Sequence, residues 1–307
     1  MRTVFLGTSA FAASVLERLA AGGEHRPALV LTRPDRPRGR GRKLGAPPVA
    51  ESARRLGIAL EQPGNVNEPH TCELIARASP DAVIVCAFGA LIKEPLLSEH
   101  ELLNVHPSLL PRWRGAAPVE RAIMAGDERT GVSIMRLTAG LDSGPVCLAE
   151  SLPIASQETY GSLAERLQTL GGELLVRVLD LIASGEPPAF VEQPESGVTY
   201  AEKIAPEDRL LDPARPAAEL ERTVRALHPH IGARIALAEE AGALLGVHAA
   251  RVADVSGVDD APPAGTLGRE GERLLYGTDD GTLELLRVQP PGGRAMDAGS
   301  YLRGHAR

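Results

Sequence analysis

The sequence predicts an α/β protein in which a mainly parallel sheet domain is followed by a small β-barrel. Three observations carry that expectation. The first half alternates short apolar runs with segments of helical periodicity, one long helix closes it, and the last third is a series of closely spaced strand candidates separated by Gly and Pro. Strands alternating with helices build a parallel sheet covered on both faces, and short strands at close spacing build barrels. With 307 residues the chain has room for roughly two domains of ~100–200 residues each.

The elements follow in order. Residues 3–7 read as a strand that stops at glycine, and 11–21 carry apolar residues at helical spacing. Residues 28–32 form a second strand, 50–56 a helix and 58–60 a brief third strand. A helix ends over 72–78. The least ambiguous buried strand is 81–87, where Val83, Ile84 and Val85 stand in a row. Residues 102–106 form another strand, 119–125 a helix and 131–137 a strand. From 160 to 183, Leu163, Leu167, Leu170, Leu174, Val178 and Leu181 keep helical spacing until 184–188 break it. The first domain is therefore expected over 1–188, a linker over 189–206 and the second domain over 207–307. The latter opens with a helix near 219–226, followed by strands around 233–237, 244–252, 265–267, 273–276 and 283–288.

Composition excludes several classes. Apolar residues make up 43% and charged residues 24%, ordinary for a globular protein. No apolar run reaches the ~18–20 residues of a membrane span, and the first run is too short for a signal peptide, so a cytoplasmic protein without membrane contact is expected. Cys72, Cys86 and Cys147 are far apart and odd in number, which suggests neither a disulfide framework nor a zinc site. A net charge of -7 argues against non-specific coating of nucleic acid, so local charge matters more than the total.

The densest polar cluster is residues 103–118, LNVHPSLLPRWRGAAP. Period-two alternation puts Asn104 and His106 on one face, and Pro107 ends the strand there. An amide can donate to an oxyanion, and an imidazole, with an ordinary pKa of ~6.5, can accept a proton. The same pair also suits a capping amide followed by a satisfied surface histidine. A second signal is Gly140-Leu141-Asp142-Ser143-Gly144, where Asp142 is either a turn residue or a carboxylate able to orient His106.

Residues 33–43, RPDRPRGRGRK, hold six basic residues against one acidic. Gly and Pro keep the stretch from being a helix. It reads either as a solvated loop or as a phosphate-contacting one, since guanidinium groups grip phosphate with two prongs. Gly7-Thr8-Ser9 lacks the later glycines of a dinucleotide fingerprint, and no GxxxxGK[ST] stretch is present, so NAD and nucleoside triphosphates are not expected as ligands.

At these residues the sequence resembles the methionyl-tRNA formyltransferase family. SLLPRWRGAAP at 108–118 carries the resemblance most specifically. It extends to Gly7-Thr8 with Phe11-Ala12, Pro34-Asp35-Arg36-Pro37, Gly39-Arg40-Gly41, Gly131-Val132, 140–144, Thr199-Tyr200-Ala201-Glu202-Lys203 and Gly293-Arg294-Ala295-Met296, and so covers essentially the whole chain. The resemblance implies a Rossmann-like domain followed by an OB-like barrel. It implies Asn104, His106 and Asp142 as catalytic residues. Folate contacts fall on Cys86, Phe88 and Gly89 and on Ser108, Leu109, Leu110 and Pro111. Arg36, Arg38, Arg40, Arg42 and Lys43 are implied as contacts to the acceptor stem of initiator methionyl-tRNA. The formyl donor would be 10-formyltetrahydrofolate, with no metal, and the protein a monomer. Pro107 stands where the family usually has glycine, and Ser9-Ala10 where it usually has Pro-Asp.

On this reading the neutral methionyl amine attacks the formyl carbon, Asn104 donates to the oxyanion, His106 takes the amine's proton and Asp142 fixes the orientation and tautomer of the ring. Three rivals share parts of the pattern. A formyltransferase acting on a sugar-nucleotide amine would have no use for six cations in one loop. A folate hydrolase would replace the amine by water. A non-catalytic RNA-binding barrel would need basic and aromatic residues, yet residues 205–307 hold more acidic than basic residues and aromatics are 3% of the chain.

Overall fold

The computed structural model describes residues 1–38, 43–237, 242–254 and 261–305. Its elements in chain order begin with β1 (Thr3–Gly7), α1 (Ala10–Ala21), β2 (Pro27–Leu31), β3 (Arg36–Arg38), β4 (Lys43–Gly45), α2 (Pro48–Leu56), β5 (Ala59–Glu61) and α3 (Pro69–Ala78). Next come β6 (Ala82–Cys86), α4 (Leu96–Glu99), β7 (Leu102–His106), β8 (Arg114–Gly115), α5 (Pro118–Ala125), β9 (Arg129–Arg136) and β10 (Val146–Pro153). They continue with α6 (Tyr160–Ala183), β11 (Tyr200–Ala201), α7 (Ala217–Leu227), β12 (Ala233–Ala236) and β13 (Leu244–Val252). The last are β14 (Leu267–Glu270), β15 (Arg273–Gly277), β16 (Thr282–Gln289), β17 (Met296–Asp297) and α8 (Ala298–His305).

Two compact units result. One comprises Met1–Gly115, Arg129–Leu152 and Ala164–Ala201, the other Ala116–Glu128, Pro153–Leu163 and Glu202–Arg307. The first is built on a seven-stranded sheet in the order β10-β9-β7-β6-β1-β2-β5. β1, β6 and β7 are buried at every residue, as parallel strands covered on both faces must be. β1 pairs in parallel with both β2 and β6, so the chain leaves it in opposite directions and a crevice opens at the carboxyl ends, where ligands of such sheets gather. α1 starts there: the Ser9 hydroxyl accepts from the Ala12 N–H at 3.2 Å, and Phe11, Ala12, Val15, Leu16 and Leu19 form its buried face. The sheet is not wholly parallel. β9 runs antiparallel to β7, with His106 opposite Ser133.

The second unit carries an antiparallel sheet in the order β12-β13-β16-β15-β14, with β17 on β16, where the sequence predicts the small barrel. α7 contributes Leu220, Val224 and Leu227, one helical face, to a core with Ile235, Leu245, Val247, Leu283, Leu285 and Val288. Leu285 is fully buried and faces Leu274 and Ala250 across its two neighbouring strands. Replacing it by alanine is expected to destabilise this unit by ~2–5 kcal/mol in urea denaturation, because a cavity remains where a close-packed strand cannot collapse.

Candidate active site

β7 delivers two polar side chains to one place. The pleat puts Asn104 and His106 on one face, only 7% and 4% exposed. After His106 the Ser108 N–H returns to the His106 carbonyl at 2.9 Å, turning the chain into the loop that follows. Ser133 of β9 fixes that loop: its hydroxyl donates to the Ser108 carbonyl at 2.8 Å and accepts from the Leu110 N–H at 3.2 Å. The Ser108 hydroxyl donates to the Arg112 carbonyl at 2.6 Å.

Asp142 enters from the turn after β9 with φ 44°, a left-handed conformation uncommon outside glycine. Its carboxylate joins three groups. Oδ2 accepts from the Gly115 N–H at 2.8 Å and lies 3.7 Å from His106 Nδ1, while Oδ1 accepts from Asn104 Nδ2 at 3.4 Å. On the other side of the ring, His106 Nε2 is 2.9 Å from the Trp113 carbonyl. A carbonyl only accepts, so Nε2 carries the hydrogen and Nδ1 is the basic nitrogen of the neutral imidazole. The sequence reading gives Asp142 both the orientation and the tautomer of His106. In the structure the Trp113 carbonyl sets the tautomer, and Asp142 faces the nitrogen that gains charge on protonation.

Residues 113–115 are held in turn by 193–201. The Trp113 N–H donates to Thr199 Oγ1 at 2.9 Å, the Arg114 N–H to the Thr199 carbonyl at 2.9 Å, and β8 pairs with β11. Only glycine fits at 115, which has φ 118° and where a Cβ would lie 2.8 Å from the Ala201 carbonyl oxygen. Gln193 Nε2 donates to the carbonyls of Asp142 at 2.8 Å and Gly144 at 2.7 Å, and its Oε1 accepts from Arg114 Nε and Nη2 at 2.9 and 2.7 Å. Sequence reasoning does not find Gln193 or the Trp113 carbonyl, and it names Thr199 only within a stretch that carries the resemblance, without a role. A lone glutamine in a polar stretch has no spacing relation to the other site residues, and a backbone carbonyl has no sequence signature.

The two stretches expected to contact folate start side by side, because β6 and β7 are parallel neighbours with Val85 opposite Asn104. Cys86 and Phe88 are buried, so a ligand at this strand end meets backbone more than these side chains. Burial pushes the Cys86 thiol far up, which makes it a packing group rather than a nucleophile. Ala87 is left-handed at φ 41°; the Phe88 carbonyl accepts from Thr8 Oγ1 at 2.7 Å and the Gly89 carbonyl from Arg33 Nη1 at 2.8 Å. Leu110 lines a separate cleft with Cys147, Leu148, Val191 and Gln193. Of the basic residues, Arg36 and Arg38 lie on β3 and Lys43 on β4, paired as a hairpin with Arg38 opposite Lys43, and Arg36 and Lys43 are exposed. Arg40 and Arg42 lie outside the described residues. Thr8, Ser9, Arg33, Arg36, Phe88 and Gly89 line a cleft at the ends of β1, β2 and β6. Among the described residues Glu24, His25 and Asp180 could share a cation, but His25 Nε2 already contacts Asp180 Oδ1 at 2.7 Å, and none of the three belongs to the site. No helix among the described residues is long and apolar enough to cross a membrane.

Fold and site together define a formyl transferase: residues 1–179 match the formyl transferase family and residues 203–306 the formyl transferase C-terminal domain. The chain is 43% identical over 309 residues to the methionyl-tRNA formyltransferase of Halorhodospira halophila, covering 99% of this chain and 96% of that one. It belongs to the methionyl-tRNA formyltransferase family. Among solved structures, HypX from Aquifex aeolicus in complex with tetrahydrofolic acid has a TM-score of 0.65 at 18% identity, over 98% of this chain and 47% of that one, so this chain spans about half the length of HypX. Methionyl-tRNA formyltransferase from Clostridium thermocellum has a TM-score of 0.57 at 13% identity, over 83% of this chain and 94% of that one. At such identities the likeness is one of fold.

Proposed function

We propose that the chain transfers the formyl group of 10-formyltetrahydrofolate to the amino group of methionyl-tRNA, acting as a cytoplasmic monomer. One observation supports the assignment of the site above others: Asn104 and Asp142, 38 residues apart in sequence, meet beside His106 in a chain of this family. The chemistry is assigned to the unit that holds Asn104, His106 and Asp142, which comprises residues 1–115, 129–152 and 164–201; the stretch 189–206, read from the sequence as a linker, belongs to that unit as far as Ala201.

Bound folate supplies an electrophilic formyl carbon. Residues 86–89 and 108–111, emerging from adjacent strand ends, suit a flat ring system recognised through backbone groups. An α-amino group has a reference pKa of ~7.7–8.0 and must be neutral to attack. His106 Nδ1 takes the amine's proton, directly or through water, since Nε2 is committed to the Trp113 carbonyl. The resulting imidazolium faces Asp142 Oδ2, which the Gly115 N–H keeps in place. It gives the proton to the folate nitrogen as the bond from that nitrogen to the formyl carbon breaks, so that the products are formylmethionyl-tRNA and tetrahydrofolate. Asn104 Nδ2 gives one hydrogen to Asp142 Oδ1 and has a second to donate to the formyl oxygen as charge builds there.

Arg36, Arg38, Arg40, Arg42 and Lys43 are assigned to the phosphates of the tRNA. The test is transfer of labelled formyl to initiator methionyl-tRNA, beside free methionine and a variant with these five residues neutralised. Transfer is expected to the tRNA alone. In the variant the slope of log(kcat/KM) against log(salt) becomes shallower by ~1 for each phosphate that the loop no longer neutralises. Equal transfer to free methionine would count against the tRNA as substrate, and an unchanged slope against the role of the loop.

A further inference from the structure

We propose that Gln193 is a positioning residue for the transfer reaction, its amide holding the Asp142 turn in the conformation that sets the carboxylate between His106 and Gly115. The inference rests on the assignment of Asp142 given above and adds to it a residue from outside both strand-end motifs.

The Asp142 turn does not hold itself. It lies between Gly140 and Gly144, where backbone freedom is greatest, and Asp142 takes a left-handed φ of 44° that an L residue adopts uncommonly. Gln193 spends both hydrogens of Nε2 on this turn, at 2.8 Å to the Asp142 carbonyl and 2.7 Å to the Gly144 carbonyl. Its Oε1 takes two hydrogens from the Arg114 guanidinium, at 2.9 and 2.7 Å. A primary amide suits this place because one end accepts from a guanidinium while the other supplies two hydrogens. Arg114 immediately precedes Gly115, whose N–H holds the Asp142 carboxylate at 2.8 Å. The dipeptide therefore fixes Asp142 twice, through the Gly115 N–H on the side chain and through Gln193 on the backbone. Trp113, one residue earlier, fixes His106 through its carbonyl. Base and carboxylate thus share one anchor, and Gln193 is its link to the turn.

Four variants test the role: Gln193→Ala, Gln193→Glu, Asp142→Ala and the double Gln193→Ala/Asp142→Ala, each with thermal melting to confirm folding. Both Gln193 substitutions are expected to lower kcat, by up to about 100-fold for a displacement near 1 Å. KM for folate and for tRNA stays within about twofold, since the carboxylate that Gln193 positions acts on His106 only as the ring gains charge in the transition state. Gln193→Glu is the discriminating case. It keeps an acceptor for Arg114 but has no hydrogens for the turn. A glutamine that merely tethered its own segment to Arg114 would be replaced well by glutamate, so wild-type kcat in Gln193→Glu overturns the proposal. In the Asp142→Ala background the Gln193→Ala change is expected to add no further loss, because the group it positions is gone; independent, multiplying losses overturn it as well. Wild-type kcat in Asp142→Ala alone would instead overturn the assignment of Asp142, and the positioning role with it.

Discussion

Asn104→Ala is expected to lower kcat for formyl transfer to methionyl-tRNA by ~100–1000-fold, the usual loss when one oxyanion donor is removed from a preorganised site. The side chain is 7% exposed and already oriented by Asp142 Oδ1, so its free hydrogen is aimed before substrate arrives and needs no reorganisation during the reaction. KM for the folate changes much less, because the developing charge exists only in the transition state. Asn104→Asp sharpens the test. It fills the same volume but brings a second carboxylate to the position from which Asn104 Nδ2 reaches Asp142 at 3.4 Å, replacing a donor by a like charge. Its activity is expected to fall below that of the alanine variant at neutral pH, and its deficit relative to the alanine variant at the same pH to narrow as the pH is lowered and the new carboxylate is protonated. Steady-state kinetics with labelled donor, beside circular dichroism to confirm folding, measure both effects. Asn104→Ala activity within about tenfold of wild type would remove Asn104 from the chemistry, since such a loss is too small for a direct donor to charge.

The sequence shows the strands that carry this site more clearly than the groups that complete it. The strand predicted over residues 102–106 is found as Leu102–His106, because an unbroken buried run ends at a proline that cannot continue the ladder. The strand over 3–7 is found as Thr3–Gly7 for the same kind of reason, an apolar run cut off at glycine. β10 is not legible in the same way: VCLAESLP lies at the sheet edge with much of its length exposed, and its short apolar run VCLA is cut off by Glu150 and Ser151 midway along the strand. In α8, Gly299 and Gly304 mask the helical spacing. At residue 142 the sequence leaves open a turn residue or a carboxylate facing His106, and the structure shows that the two are compatible. The left-handed turn is what carries the carboxylate to the ring. The Trp113 carbonyl and the Gln193 amide stay hidden because their roles arise from 113–115 lying against 193–201, a long-range pairing with no periodicity to announce it.

Gly131→Ala is expected to destabilise the first unit by about 3 kcal/mol and to raise KM for the folate, two effects with one cause. A Cβ at residue 131 of β9 would lie 2.1 Å from the Glu150 carbonyl oxygen on β10 and 2.6 Å from Leu109 Cδ2. Added atoms in a packed site typically cost ~1–3 kcal/mol; here one obstacle is backbone, which cannot turn aside as a flexible side chain can, so the upper end applies. Relief must come from moving β10 outward, from shifting Leu109, or from both. Leu109 lies in the loop assigned to the folate, and Ser133, two residues along β9, holds that loop through the Ser108 carbonyl and the Leu110 N–H. The strain therefore reaches the donor site before it reaches Asn104. Urea denaturation followed by the fluorescence of Trp113, the single tryptophan of the chain, reports this unit directly. Gly22→Ala is the control: at that residue a Cβ meets nothing within 4 Å and φ is an ordinary -74°, so stability stays within about 0.5 kcal/mol of wild type. A Gly131→Ala protein with the same midpoint and the same KM as that control would show that β10 yields freely at Glu150, and that the close approach of these strands does not fix the folate loop.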